Sequence, residues 1–325
     1  MAAQYKSGLG GGGKPAIIRG KQGIIRGKPG LAGGGKSWPR RAFTAVNGAT
    51  LTIAAAISLL PVIHILSMSL SSNAAVTGGM VGLWPVNFTT IAYNYVLKNP
   101  QFFTSFLNSV ERAAAGVTVN MIMIVMVAYP MSRSEKQFPN RKYFVWFFIF
   151  TMLFNGGLIP TYMVVKTTGL YDSFLALILP GAVPVFNVLI LMNFFRDLPK
   201  EIEEAAFIDG AGHWTLLSRI LLPLSKAALA TLVLFCFVEH WNEWFDGMIF
   251  IATKAKRPLQ TYLQAILSKP DLSTLDPEER AYYFQVNLRS VKAAQIFITI
   301  TPIMAVYPFL QKYFTKGIVL GSVKG

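Results

Sequence analysis

The sequence predicts an all-α, polytopic membrane protein with about six transmembrane helices, each needing some 20 apolar residues. Three observations carry that prediction. Hydrophobic residues make up 53% of the 325 positions and charged residues only 14%, against about 25% charged in ordinary soluble domains. Apolar runs of membrane-spanning length recur along the chain. Basic residues gather on alternate flanks of those runs, as the positive-inside rule requires. Together these exclude a disordered protein, a coiled coil or an ordinary soluble enzyme. The single cysteine, Cys236, excludes an intrachain disulfide framework and any multi-cysteine zinc site. In its apolar run it reads as an inert buried thiol.

The chain begins with a basic, glycine-rich tail, residues 1–41. Nine of the 30 Lys and Arg lie there and no acid does, so most of the formal +15 charge belongs to one end. Ile17-Ile18-Arg19-Gly20-Lys21 recurs as Ile24-Ile25-Arg26-Gly27-Lys28. Clustered glycines predict a flexible segment that either enforces topology or binds anionic lipid, at about 1 kcal/mol per basic residue near the surface. Gly30–Ser37, GLAGGGKS, satisfies the phosphate-loop pattern literally. That loop needs a preceding buried strand and a following helix. Here a Gly/Lys/Pro stretch precedes it and Trp38-Pro39-Arg40-Arg41 follows, so no nucleotide site is expected.

The first transmembrane segment, 42–72, opens the charge-free run 42–97, whose apolar part is Ala42–Leu70. It is too long for a signal-peptide core and is read as a retained helix. An extracytoplasmic segment, 73–105, follows. Further charge-free runs at 113–132, 143–165, 173–195 and 293–311, together with 220–238, which carries only Lys226, complete the set within a core of 106–316. Lysine near a span end can snorkel to the headgroups. Between spans 2 and 3, Arg133, Lys136, Arg141 and Lys142 face one acid, which predicts a cytoplasmic loop. Residues 71–109, the span 3–4 connection and the charge-balanced stretch Glu239–Lys292 belong outside. Both termini are then cytoplasmic, and a short tail, 317–325, closes the chain. Prolines inside the spans (Pro61, Pro130, Pro160, Pro180, Pro184, Pro302, Pro308) predict kinks and favour a bundle around a pathway.

The loop between spans 4 and 5, 196–219, departs most from its surroundings. It holds five of the fifteen acids: Asp197, Glu201, Glu203, Glu204 and Asp209. Pro199 can start a helix whose first turn carries acids, as the helix dipole prefers. Ala205, Ala206 and Ile208 offer a small apolar surface, Gly210 and Gly212 stop the helix, and a second helical run begins near Trp214. A short helix of this kind suits a groove on another protein.

Glu204-Ala205-Ala206, three residues, Gly210, nine residues, Ile220, one residue and Leu222-Pro223 reproduce the EAA signature. On it the chain is identified as resembling the permeases of binding-protein-dependent ABC importers. The resemblance runs from about Asn87 to the C-terminus and includes Asn108-Ser109, Asn155-Gly156-Gly157 and Trp241-Asn242-Glu243-Trp244. It is nearest to the carbohydrate branch, including permeases for uronate-rich oligosaccharides such as alginate. The resemblance implies the type I importer permease fold in a bacterial inner membrane. It also implies a coupling role, at the ATPase, for Glu204, Ala205, Ala206, Asp209 and Gly210. The end of the chain resembles the tail of the smaller maltose-importer permease, so Gly321, Ser322, Val323, Lys324 and Gly325 would contact the ATPases.

At the outer end of span 5 lie Glu239, His240, Trp241, Asn242, Glu243 and Trp244. They read either as an ordinary interfacial belt or as a gate or carbohydrate contact. Residues 247–291 are the expected contact for a solute-binding protein. The histidines His64, His213 and His240 are scattered, and no pattern for catalysis or metal binding appears. The chain is therefore expected to be a non-catalytic pathway subunit without a cofactor of its own, ATP and Mg residing on partner subunits. The implied partners are a second permease in a heterodimer, two ATP-binding subunits, an extracytoplasmic solute-binding protein, membrane lipid and a carbohydrate substrate. No nucleic acid is expected. The alternative is an ion-coupled secondary transporter, which would need carboxylates at mid-membrane depth.

Overall fold

The computed structural model describes residues 38–268 and 288–321, and the regular structure among those residues is helical, with no strand. The chain divides into two units, residues 1–56 and 57–325. The described part of the first unit begins α1, Trp38–Ser69, and every side chain from Ala42 to Ala56 is exposed. The second unit contains the buried residues. At its start, a loop closes over the end of α1 through His64 Nδ1 to the Gly82 carbonyl (2.8 Å) and Ser67 Oγ to the Leu83 carbonyl (2.7 Å). Two short helices follow, α2 (Asn73–Thr77) and α3 (Ile91–Lys98).

The central element is α4, Pro100–Ser132. The Asn99 side chain caps it by accepting from the amides of Gln101 and Phe102. Its buried residues recur every three or four positions: Phe102, Ser105, Ser109, Arg112, Gly116, Asn120, Ile124, Ala128 and Met131. Small residues dominate the N-terminal half of that stripe, which lets neighbouring backbones approach. Packed on α4 are α7 (Val185–Asp197) and α10 (Lys226–Asn242). In turn α13 (Leu288–Gly321) packs on α10 and α3. One core joins Ile124, Ala128, Val188, Leu191, Phe195, Leu216, Leu221 and Leu232. A second core at the other end joins Val96, Phe102, Trp241, Leu259 and Ala294.

The spans are less regular than the apolar runs suggest. By length and composition, three helices among the described residues can cross a membrane: Ala42–Ser69, Pro100–Ser132 and Arg289–Pro308. Two bent pairs raise the number to five at most. One is α5 (Arg141–Leu153) with α6 (Leu158–Thr167), bent by 110°. The other is α9 (His213–Leu224) with α10, bent by 82° at Ser225. The expected spans are thus less regular in form than straight helices. Run 173–195 is a 3-10 turn at Phe174–Leu177, an irregular stretch and then the short α7. Pro180, Gly181 and Pro184 end helical pairing there instead of merely kinking it. Span 2 begins earlier than position 113, because α4 carries Glu111 and Arg112 within its length.

Candidate functional site

The acidic loop folds as α8, Lys200–Ile208, a nine-residue helix with Glu201 and Glu203 in its first turn. It ends in a paired C-terminal motif. The Gly210 amide donates to the Phe207 carbonyl (3.0 Å) and the Ala211 amide to the Ala206 carbonyl (2.9 Å). Gly210 has φ +80°, a left-handed conformation that glycine adopts without a Cβ penalty. Glu204, Ala205, Ile208, Asp209 and Gly210 are exposed, Ile208 at 86%. Ala206 is not part of that surface. At 6% exposure it packs into the core against α4 and α7, because a helix on a core must turn one face inward.

A cluster from three elements holds α8 in place. Arg133, 5% exposed at the end of α4, donates to Glu203 Oε2 at 2.5 Å and to Ser132 Oγ. Its guanidinium lies 4.7 Å from the centroid of the Tyr129 ring. The Tyr129 hydroxyl is 2.8 Å from His213 Nδ1, and the His213 ring packs edge-on against Phe207 of α8. The exposed face of α8 is thus backed by a polar seat that ties it to α4 and α9. In the sequence alone Arg133 groups with the topology charges and His213 carries no role. The usable signal was the pairing of a loop rich in bases with a loop rich in acids.

The six residues at the outer end of span 5 do not share one environment. His240 is buried, with Nε2 2.7 Å from Asn120 Oδ1, and it sits over Gly116, where a Cβ would come within 2.4 Å of the ring. Trp241 is buried between Phe106 and Phe237 and donates from Nε1 to the Thr299 carbonyl (3.1 Å). Glu243 caps α11 (Phe245–Phe250): its Oε1 accepts from the amides of Phe245 (2.7 Å) and Asp246 (3.1 Å). Its own carbonyl accepts from Arg112 Nη1 (2.9 Å). Glu239, Asn242 and Trp244 are exposed. The expectation of one gate or sugar-binding cluster is corrected to three packed anchors and three exposed side chains. The cause is that α10 runs to Asn242, so His240 and Trp241 lie on its inward face.

Arg112 is what the sequence reading missed. It is 1% exposed, and its Nη2 lies 3.6 Å from Asp246 Oδ2. Burial and neighbouring Glu243 push the Asp246 carboxyl up, while Arg112 opposes them. The clue was three acids, Glu239, Glu243 and Asp246, with no base between them. A second tie at this end centres on Asp172. It accepts from the amides of Ala252 (3.0 Å) and Thr253 (2.9 Å), from Thr253 Oγ1 (2.7 Å) and from Lys256 Nζ (3.0 Å). Gln101 and Asn108 of α4 donate to the carbonyls of Lys254 and Ala255 in the same loop.

Among the described residues no three His, Cys, Asp or Glu side chains come together to hold a metal ion. Gly321 is the last residue of α13, and Ser322, Val323, Lys324 and Gly325 lie outside the described residues, as do 1–37 and 269–287.

Residues 143–319 match the family model of the binding-protein-dependent transport system inner membrane component. Protein LplC of Bacillus subtilis (strain 168) is 39% identical over 285 residues, 88% of this chain and 96% of that protein. The polygalacturonan/rhamnogalacturonan transport system permease protein YtcP of the same organism is 38% identical over 275 residues, 85% of this chain and 96% of that protein. Among solved structures, a chain of a bacterial ABC transporter involved in the import of the acidic polysaccharide alginate superposes with a TM-score of 0.77. It is 36% identical over 86% of this chain and 98% of that one.

Proposed function

Because this chain belongs to the family of binding-protein-dependent transport system inner membrane components, we propose that it forms half of the transmembrane pathway of an ATP-driven carbohydrate importer. The cargo is a uronate-containing oligosaccharide. Two relatives support that choice, one named for polygalacturonan and rhamnogalacturonan transport and one for alginate import. The chain itself hydrolyses nothing. It works with a second, different permease, two ATP-binding subunits carrying ATP and Mg, and an extracytoplasmic solute-binding protein. Both termini lie in the cytoplasm.

The observation that carries this reading is the exposed face of α8, with Glu204, Ala205, Ile208, Asp209 and Gly210 presented outward and Glu203 held by Arg133 behind it. Small residues permit close approach, an exposed isoleucine supplies an apolar contact, and acids can pair with bases on an ATPase. Docking there moves the permease only to the extent that it favours one of its conformations over the other. The last residues, Gly321 to Gly325, are assigned to a contact with the ATPase subunits. Of the outer cluster, Glu239, Asn242 and Trp244 remain as candidate cargo or gate contacts.

The test is purification of the tagged complex in mild detergent. An ATP-binding subunit is expected to accompany the chain, and its absence would sink the importer reading. In the assembled complex, Glu204→Gln and Gly210→Val are expected to lower both transport and cargo-stimulated ATPase activity. Unchanged values in both assays would remove the coupling assignment.

A further inference from the structure

Two apolar helices in this fold are each too short to cross a membrane alone. α5 has 13 residues and starts at Arg141 and Lys142; α7 has 13 residues and ends at Arg196 and Asp197. Those charges place one end of each helix at the same membrane face, and the two helices pack against each other. At 1.5 Å per residue each rises about 20 Å, while the hydrocarbon core is about 30 Å thick. Beyond that level both chains lose helical pairing. After α5 comes Phe154–Gly157, before α6 turns away by 110°. Before α7 comes the irregular stretch from Ile178 to Pro184.

Irregular backbone at membrane depth is tolerated only where it is buried in protein or lines a water-filled cavity, because lipid offers no hydrogen bonds. Part of this backbone is provided for internally. Asn155 Oδ1 accepts from the Gly157 amide (2.8 Å), and Asn120 Nδ2 donates to the Gly181 carbonyl (2.9 Å). The segment as a whole is not covered by the subunit. Every residue from Leu153 to Pro160 is exposed, and so are Leu179, Pro180 and Gly181. Helix ends leave orphan amides and carbonyls, so two such ends at one level concentrate donors and acceptors there. They are uncharged and of both kinds, which is the set a polyol needs, since each hydroxyl both donates and accepts.

We propose that Phe154–Gly157 and Leu179–Gly181 line a water-filled vestibule on the outer side of the pathway and contact the hydroxyl groups of the carbohydrate cargo. This rests on the importer reading above for the class of cargo; the presence of water rests on the broken backbone and its exposure in this subunit, and cover by the second permease is the outcome that slow labelling would reveal.

The experiment uses the assembled complex in lipid nanodiscs, in a Cys236→Ala background. Single cysteines replace Gly156, Gly181, Leu158 or Leu179, with Phe147→Cys on the exposed apolar face of α5 as the lipid-facing control. A Cβ at Gly156 meets nothing nearer than 3.9 Å and one at Gly181 meets nothing within 4 Å, so these positions accept a side chain. Leu158 and Leu179 are exposed and keep the fold testable if a glycine variant fails to assemble. Labelling by a charged, membrane-impermeant thiol reagent is expected to be on the order of tenfold faster at the vestibule positions than at Phe147→Cys, as water exclusion from lipid dictates. Trigalacturonate or an alginate pentasaccharide, delivered on the solute-binding protein, is expected to slow it. Labelling as slow as the control overturns the vestibule. Fast labelling that neither oligosaccharide slows, in a complex that still imports them, overturns the cargo contact. A complex that imports neither, or that lacks an ATPase, fails the importer reading instead, and the labelling rate still decides the vestibule.

Discussion

At the scale of single residues, the packing around His240 makes the sharpest demand. The ring lies over Gly116 so closely that any Cβ there would fall within 2.4 Å of Nε2, and the same nitrogen is bonded to Asn120. Gly116→Ala must therefore expel the imidazole and break a buried hydrogen bond. Overpacking of this kind costs about 1–3 kcal/mol, so thermal unfolding in detergent is expected several degrees below the parent protein. His240→Ala in the same chain removes the clash, and the double variant should be destabilised by less than the sum of the two. Strict additivity would show that the contact is absent. Asp172 makes a different demand, on pH. The Thr253 amide first, then the Thr253 hydroxyl and Lys256, hold the Asp172 carboxyl well below the usual carboxylate range. A depressed carboxyl contributes stability that is fully present above its unfolded pKa, near 4, and is lost as pH falls through the lower folded value. Exchange protection of the Ala252 and Thr253 amides is expected to hold from neutral pH down to about that unfolded value and to fail only in stronger acid. Asp172→Ala should raise exchange at both amides at neutral pH, and protection lost already at pH 5 would contradict the tie.

At the scale of elements, the long charge-free runs were legible, because a helix that must shed its charges leaves a run no other structure needs. So was α8, since proline before it, acids in its first turn and glycine after it are local signals with local causes. What the runs could not show is where a span breaks. Asn155-Gly156-Gly157 and Pro180-Gly181 are strong turn formers, yet they sit inside apolar sequence, and apolar character alone does not separate a helix from an irregular segment. Long-range ties were hidden for another reason: Arg112 and Asp246, or Arg133 and Glu203, lie far apart in the chain, and nothing in one sequence pairs them. The tie between Arg133 and Glu203 carries a prediction about how α8 acts. Arg133 binds Glu203 on α8 and caps the ring of Tyr129 on α4, while Tyr129 meets His213 on α9. Arg133→Ala leaves Glu203 half-buried without its base. The complex is expected to assemble yet import about tenfold less cargo per ATP, within the range of ordinary coupling energies. Lysine cannot reproduce the fork over the ring, so Arg133→Lys should recover only part. Exchanging the charges, with Arg133→Glu and Glu203→Arg together, should import better than either change alone, and equal failure of all three would assign Arg133 to folding only.

At the scale of the whole molecule, the ties sort the loops into two sets without any appeal to charge. Arg133 to Glu203 places the α4–α5 loop and α8 at one end. Asp172 with Thr253 and Lys256, and Gln101 and Asn108 with the carbonyls of Lys254 and Ala255, place four other segments at the opposite end. These are the start of α4, the stretch after α6, the turn after α11 and the approach to α12 (Leu259–Ser268). Charge then decides only which end faces the cytoplasm. The first set carries Arg133, Lys136, Arg141 and Lys142 against Glu135 in its basic loop, and the basic tail of residues 1–41 has the same sign. Acids contribute little to orientation, so the acidic α8 does not weigh against that basic loop. Alkaline phosphatase fused after Thr253 is therefore expected to be active, and the same enzyme fused after Ser134 inactive. A fluorescent protein that matures only in the cytosol should fluoresce ahead of Met1 and behind Gly325. Phosphatase activity after Ser134 would reverse the orientation and remove α8 from the reach of any cytoplasmic ATPase, so this one measurement bears on both the topology and the coupling role.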